Sequence, residues 1–292
     1  MRISENFIFR LALFFLGSLW TYSTAVPIAA QDETAEASPI PFVQVPAGSF
    51  EMGSPKDSFP TFEFPPTRVE VSAFEISVEE ITNSRYLEFC EETDRDLPDA
   101  PIWYRGAKDY FEEFASHPVV NVTWYDAVAF CEWHSEKEGK TIRLPTEAEW
   151  ERASRFSDSG EAPIFPWGEH YPVHHHGEPD PKFANIIGPE DRYLYTAPGG
   201  EFETGASHIG GNAVMDLVGN VSEWCSDRFS YTPPEQADGA VKDPQGPDRG
   251  GRRVVKGSSF RDDTYLSRGA FRRGMTPTRT SDSVGFRVVR VP

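Results

Sequence analysis

Asn121–Arg155 reads NVTWYDAVAFCEWHSEKEGKTIRLPTEAEWERASR, and it holds two helices whose ends are written in side-chain chemistry. Thr123 followed by Asp126 resembles a capping box, in which two side-chain oxygens take backbone N–H groups of the first turn. Behind it Ala127, Phe130, Cys131 and His134 fall on one helical face, and Gly139 supplies the stop. Thr146 and Glu149 form a second capping box, with Pro145 just before it. That helix is predicted to run through Trp150 and Ala153 to about Phe156.

Upstream, Val69 and Val71 alternate with polar residues from Thr67, and Phe74 and Ile76 continue the run. This predicts a strand with an irregularity near Ala73. A helix starting near Thr82 or Asn83 would turn Tyr86, Leu87, Phe89 and Cys90 inward. Downstream of Phe156 helical periodicity gives out, and the chain becomes rich in Gly, Pro, Asp and aromatic residues. Arg253–Gly257 and Gly285–Val289 are the candidate closing strands. Loops this long are either disordered or pinned by function, and the aromatic content favours pinning.

Composition agrees with many turns. Gly (23) and Pro (25) make up about 16% of the 292 residues, against roughly 12% on average, which argues against a long helical bundle. The formal net charge of −18 repels phosphate, so neither nucleic acid nor an anionic lipid surface is an expected partner. Cys90, Cys131 and Cys225 are too few for a disulfide scaffold and form no C-x-x-C pair.

At the N-terminus, Arg2 and Arg10 precede a short apolar run, Leu11–Trp20, and the small residues Ser23, Thr24, Ala25, Ala29 and Ala30. This is the pattern of a secretory signal peptide over residues 1–30, too short to span a bilayer. Residues 31–41 are expected to be a disordered leader and residues 42–292 the folded body. The product is expected outside the cytoplasm, secreted or periplasmic, with no integral membrane segment after cleavage.

Oxygen-rich loops are the first candidates for chemistry, because hard cations need clustered carboxylate, amide and carbonyl oxygens. Asn185 and Asp191 share one short loop. Asp216 and Glu223 flank Gly219, which lets the backbone turn inward. Turns with solvated acids are the plainer alternative for both. The run His174–His176 suggests a transition-metal site, but consecutive residues do not face one way, and an exposed loop explains it as well. The C-terminal arginines either pair with acids such as Asp262 and Asp263 or, at Arg268 and Arg272, receive a carboxylate. Asn121 and Asn220 head glycosylation sequons, and neither is read as used.

Six segments in order then resemble one family. They are FVQVPAGSFEMGS (Phe42–Ser54), the helix pair Asn121–Arg155, PWGE (Pro166–Glu169), FANI (Phe183–Ile186), GNVSEWCSD (Gly219–Asp227) and GFRVVR (Gly285–Arg290). The chain resembles the sulfatase-modifying factor, or formylglycine-generating enzyme-like, domain family from about Phe42 to Arg290. The resemblance implies a single irregular α/β domain related to the C-type-lectin architecture, with little regular secondary structure. It also implies two structural calcium ions. The first would use Asn185, the carbonyl of Ile186, Asp191 and the carbonyl of Tyr193. The second would use Asp216, the carbonyls of Gly219 and Val221, and Glu223.

The family's best-known activity oxidises a sulfatase cysteine to formylglycine with copper held by two cysteine thiolates. Those cysteines lie shortly before the final GFR strand, and Lys256–Arg287 contains none. Met275 is a weak thioether ligand, and Ser222 stands where the family has an aromatic residue. Copper is therefore not expected. Cys225 would be the better candidate for a reactive thiol, though a lone Cys is most often a small buried residue. The leading expectation is a calcium-stabilised binding or assembly module for a peptide or protein partner in the envelope or extracellular space. Ser222, Trp224, Arg268 and Arg272 would line its groove. The alternatives are an active formylglycine-generating oxidase or related redox maturation factor acting on a sulfatase-type peptide, and a purely structural accessory domain.

Overall fold

The Thr123 and Thr146 capping boxes both form. The Thr123 hydroxyl accepts the Asp126 N–H at 3.1 Å while the Asp126 carboxylate accepts the Thr123 N–H at 2.9 Å. The Thr146 and Glu149 pair closes in the same way, at 3.1 and 2.8 Å. The computed structural model describes residues 39–55, 62–106, 109–157, 161–170, 182–188, 191–232 and 239–291. The expected signal peptide, most of the leader and the run His174–His176 lie outside these residues.

The elements in chain order are β1 (Phe42–Val45), β2 (Gly48–Met52), β3 (Thr67–Val71), β4 (Phe74–Ser77), α1 (Asn83–Thr93), α2 (Tyr110–Glu113) and α3 (Trp124–Glu138). They continue as β5 (Ile142–Arg143), α4 (Glu147–Ser154), β6 (Ser207–Ile209), β7 (Asn212–Val214), β8 (Ser222–Arg228) and β9 (Val241–Lys242). The last four are β10 (Arg253–Lys256), β11 (Arg272–Met275), β12 (Val284–Gly285) and β13 (Val289–Arg290). The irregularity expected near Ala73 is a break between β3 and β4. The expected strand at Gly285–Val289 is two short pieces, β12 and β13.

Two four-stranded sheets organise the body, in the orders β1-β4-β13-β5 and β11-β10-β8-β12. The first is antiparallel throughout. In the second, β12 runs parallel to β8. A smaller sheet, β2-β3-β9, and the hairpin β6-β7 complete the set. One apolar cluster joins α1, α2 and α3 to Trp224, Val255 and Phe286, and a second lies around Trp150 with β1–β4. Ile40 is buried in the first cluster at 6% exposure, so the folded body starts before Phe42. Burying those side chains supplies the main drive to fold.

The helix α4 differs from an ordinary amphipathic helix, because all eight of its residues are buried, three of them glutamates. Each acid is answered by a basic group brought from elsewhere. Glu147 takes both guanidinium arms of Arg272 (2.5 and 2.7 Å) and Glu149 those of Arg143 (2.7 Å each). Glu151 is bonded by Lys256 at 2.9 Å and Arg155 at 2.6 Å. Burial alone would raise the Glu151 carboxyl, but Lys256 and Arg155 hold it below its ordinary value. Buried charges are tolerable only when paired this closely.

Candidate functional site: two oxygen-rich loops and the place of the missing thiols

The two loops predicted to hold calcium lie against each other. Gly219 has φ +83°, and a Cβ there would collide with the Asn185 carbonyl oxygen. The Asn220 N–H donates to that same oxygen at 2.7 Å. The buried Asn220 side chain accepts from the Ala197 N–H at 2.9 Å and from the Asn185 amide at 3.3 Å. This is a structural duty and leaves Asn220 no room for a glycan.

In the first loop, Asn185 is wholly buried. Its amide NH2 donates to the Tyr195 carbonyl at 2.7 Å, while its Oδ1 meets no donor. Asp191 is buried and its Oδ1 accepts the Tyr193 N–H at 2.9 Å. An orphaned buried carbonyl-type oxygen costs on the order of 1–3 kcal/mol. A hard cation at Asn185 Oδ1 would remove that cost, so the residues present fit calcium.

The second loop is arranged differently. Both oxygens of Glu223 are bound by Arg287, at 2.7 and 2.8 Å, and Trp150 Nε1 donates to the same carboxylate at 2.7 Å. Glu223 is thus balanced inside the chain. Asp216 accepts the Gly200 N–H at 2.6 Å, and burial pushes its carboxyl up to about 6. Beside it lies Glu80, which sequence reading missed. Glu80 is fully buried, neither of its oxygens has a hydrogen-bond partner, and burial together with Asp216 raises it well above its ordinary value. Its only sequence signal was the pair Glu79-Glu80 before a helix cap, which solvated acids also produce. Among the described residues Asp216 and Glu80 make no ion pair, whereas Glu223, the expected ligand, pairs with Arg287. Among the described residues no group of three or more His, Cys, Asp or Glu side chains is placed to hold a metal, so both shells would depend on amide and main-chain oxygens.

The expected groove residues are largely buried, although Arg272 reaches the wall of a cavity at the far end of β8. Ser222 and Trp224 are wholly buried and Arg268 nearly so. Trp224 Nε1 donates to the Val122 carbonyl at 3.1 Å. Arg268 grips Glu63 with both arms, at 2.5 and 2.8 Å, as Arg272 grips Glu147. These two arginines pair with acids more than a hundred residues away and offer no free guanidinium to a ligand carboxylate. The expectation that these four form the contact surface gives way to their role as internal struts. The polar seat beside them is built by Arg273, which donates to Ser222 Oγ at 2.6 Å and faces Asp262 at 3.6 Å.

All three cysteines are buried and unbridged. Cys90 and Cys131 belong to the helical cluster, Cys225 to the other. Burial pushes Cys90 up to about 11 and raises Cys131 and Cys225 as well. A thiolate, not a thiol, is the metal ligand and nucleophile. Cys225 therefore lacks the setting of a reactive thiol.

The sulfatase-modifying factor enzyme 1-like domain model matches residues 29–292. The chain belongs to this family. It is 31% identical to a formylglycine-generating enzyme of Streptomyces coelicolor, over 89% of this chain and 95% of that protein. It is also 26% identical to a Bos taurus protein named inactive C-alpha-formylglycine-generating enzyme 2, over 87% of this chain and 89% of the relative. Among solved structures, PvdO from Pseudomonas aeruginosa superposes with a TM-score of 0.68 at 27% identity, covering 86% of this chain and 94% of that one. Relatives of this chain are thus named both as formylglycine-generating enzymes and as an inactive one, and a fold by itself does not fix the chemistry it carries.

Proposed function

We propose that this chain is a calcium-stabilised, secreted or periplasmic member of the family that binds a peptide or protein partner and does not carry out copper-dependent cysteine oxidation. The observation that carries the reading is the placement of the thiols. Copper(I) in such a site needs two thiolates. The segment from Lys256 to Arg287 has no cysteine, and the three thiols elsewhere are buried and held protonated. The pair Arg273 and Ser222 is chemistry for orienting a polar group, not for holding a soft metal.

Calcium enters on two buried orphans, Asn185 Oδ1 and the Glu80 carboxylate. Bound there, it would tie loops that contain little regular structure to the sheets on either side. The partner-binding part of the reading is supported by exposed apolar residues beside Asp262. Ile187, whose N–H donates to the Asp262 carbonyl, is exposed, as are Leu194 and Tyr195. Tyr195 stacks on Trp103 at 4.3 Å and meets Phe260 edge-on. Exposed apolar groups gathered in one place mark contact surfaces.

Copper(I) titration of the folded, reduced protein against a chromophoric chelator tests the reading. No stoichiometric thiolate complex is expected until the protein is unfolded. A tight one-to-one complex in the folded state would overturn it.

A further inference from the structure

At the far end of β8, five residues and roughly 17 Å along the strand from Ser222, a second site is built around Asp227. A cavity of about 380 Å³ opens there, with Met52, Ala148, Val241 and Pro244 as apolar wall and Ser230, Thr232, Gln245 and the Glu147–Arg272 pair at its polar side. Asp227 lines it while only 3% exposed. Its Oδ2 accepts the Glu147 N–H at 2.8 Å and the Ser226 hydroxyl at 3.2 Å, and among the described residues no donor reaches Oδ1. The neighbouring acid, Glu147, is already balanced by Arg272. Asp227 has no such partner within ion-pair distance among the described residues. Phe62, Phe229 and Tyr231 pack edge to face beside the cavity, with Phe62 and Tyr231 each 5.2 Å from a ring of the cluster and both exposed.

We propose that this cleft binds an organic cation, an ammonium or guanidinium group on an apolar body, with Asp227 as its counter-ion. A buried carboxylate without a cation is costly, and a ligand cation removes that cost in the bound state. The apolar walls and the aromatic cluster fit a hydrocarbon or ring-bearing body, since ligand pockets combine mainly apolar walls with a few placed polar groups. The net charge of −18 draws cations toward the surface.

The titration of Asp227 agrees with this arrangement. Burial and then Glu147 push its carboxyl up to about 7. The charged groups around it are Glu147 and Glu149 on α4, Arg143 on β5, Arg253 on β10 and Arg272 on β11, with the Cys225 thiol on its own strand. Binding of a cation should therefore strengthen as pH rises through about 7.

The test is titration of the protein with phenethylammonium chloride, followed by protein NMR, at about pH 8 and about pH 6. Saturable one-site binding in the millimolar range is expected at the higher pH, roughly tenfold weaker at the lower. The neutral isostere 2-phenylethanol should bind roughly tenfold more weakly than the amine. Asp227→Asn keeps an acceptor for the Glu147 N–H and should lose roughly tenfold in amine affinity. Thr232→Trp narrows the mouth without touching the Asp227 hydrogen bonds, and should weaken binding even if the first variant folds poorly. Amine binding unchanged in either folded variant, or absent at about pH 8 in the parent, would overturn the proposal.

Discussion

The two loops that meet at Gly219 both carry oxygen-rich side chains, but they satisfy them by different means. In the first, the amide oxygen of Asn185 is buried with nothing bound to it. In the second, the glutamate that looks like the stronger ligand, Glu223, already accepts three hydrogen bonds from Arg287 and Trp150. Arg287 also donates to the carbonyls of Ser77 and Met215, at 3.2 and 2.9 Å, so it cannot swing away cheaply. A carboxylate that already pairs with a guanidinium has fewer lone-pair sites left for a metal. That pairing is set by a residue 64 positions along the chain.

Breaking the Arg287 pair should have the largest effect. Arg287→Met leaves Glu223, Glu80 and Asp216 buried together without their guanidinium. Removing one partner of a buried pair costs about 3–5 kcal/mol, and chemical denaturation should show a loss of that size. A loss below about 1 kcal/mol would mean that Glu223 is not balanced by Arg287. Chelation comes next. If calcium binds only the folded state, an excess a hundredfold above its Kd adds about 2.7 kcal/mol. Removing it should lower Tm by several degrees, and an unchanged Tm would rule out both sites.

Two substitutions sharpen the contrast between the loops. Asn185→Ala should reduce the calcium-dependent part of Tm, and it also loses the bond to the Tyr195 carbonyl, so it destabilises by about 1–3 kcal/mol with calcium present. Glu80→Gln should differ in sign with conditions. It replaces a buried, unpartnered carboxyl whose charged form is disfavoured there and so is neutral or stabilising with chelator, yet it weakens the response to calcium. The same Tm change in both conditions would remove Glu80 from the second site.

The effect spread over the widest range of conditions is a pH slope. Asp227 sits at about 7 in the fold against 3.8 ordinarily, so the folded state holds a proton that the unfolded chain has released. Its contribution is complete below the unfolded value and fades as pH rises through the folded one. Stability should fall between about pH 4 and 7 by up to about 1.4 kcal/mol per pH unit for this single proton. Asp227→Asn should flatten that slope, and an unaltered slope would assign it to other acids.

Much of the frame was legible because it is local. Both Thr caps, the Gly139 stop and the start of α1 behind Thr82 depend on residues a few positions apart. β8 was not legible, because its first five residues but one are buried on both faces and show no alternation. The surroundings of α4 were not legible either. Its cap is written in Thr146 and Glu149, but Arg272 and Lys256 come from strands more than a hundred residues on. The groove was misplaced for the same reason, since nothing near Arg268 announces Glu63. The loop oxygens could be counted from the sequence, whereas Glu80 could be found only once the fold had buried it.

The central claim, a family fold without its oxidase chemistry, is tested most directly by turnover. The mature protein is incubated with copper(I), oxygen and a cysteine-containing sulfatase-motif peptide, beside an active formylglycine-generating enzyme, and the peptide is followed by mass spectrometry. The account predicts an unmodified peptide where the active enzyme converts its own. Conversion of the cysteine to formylglycine by this chain would contradict it.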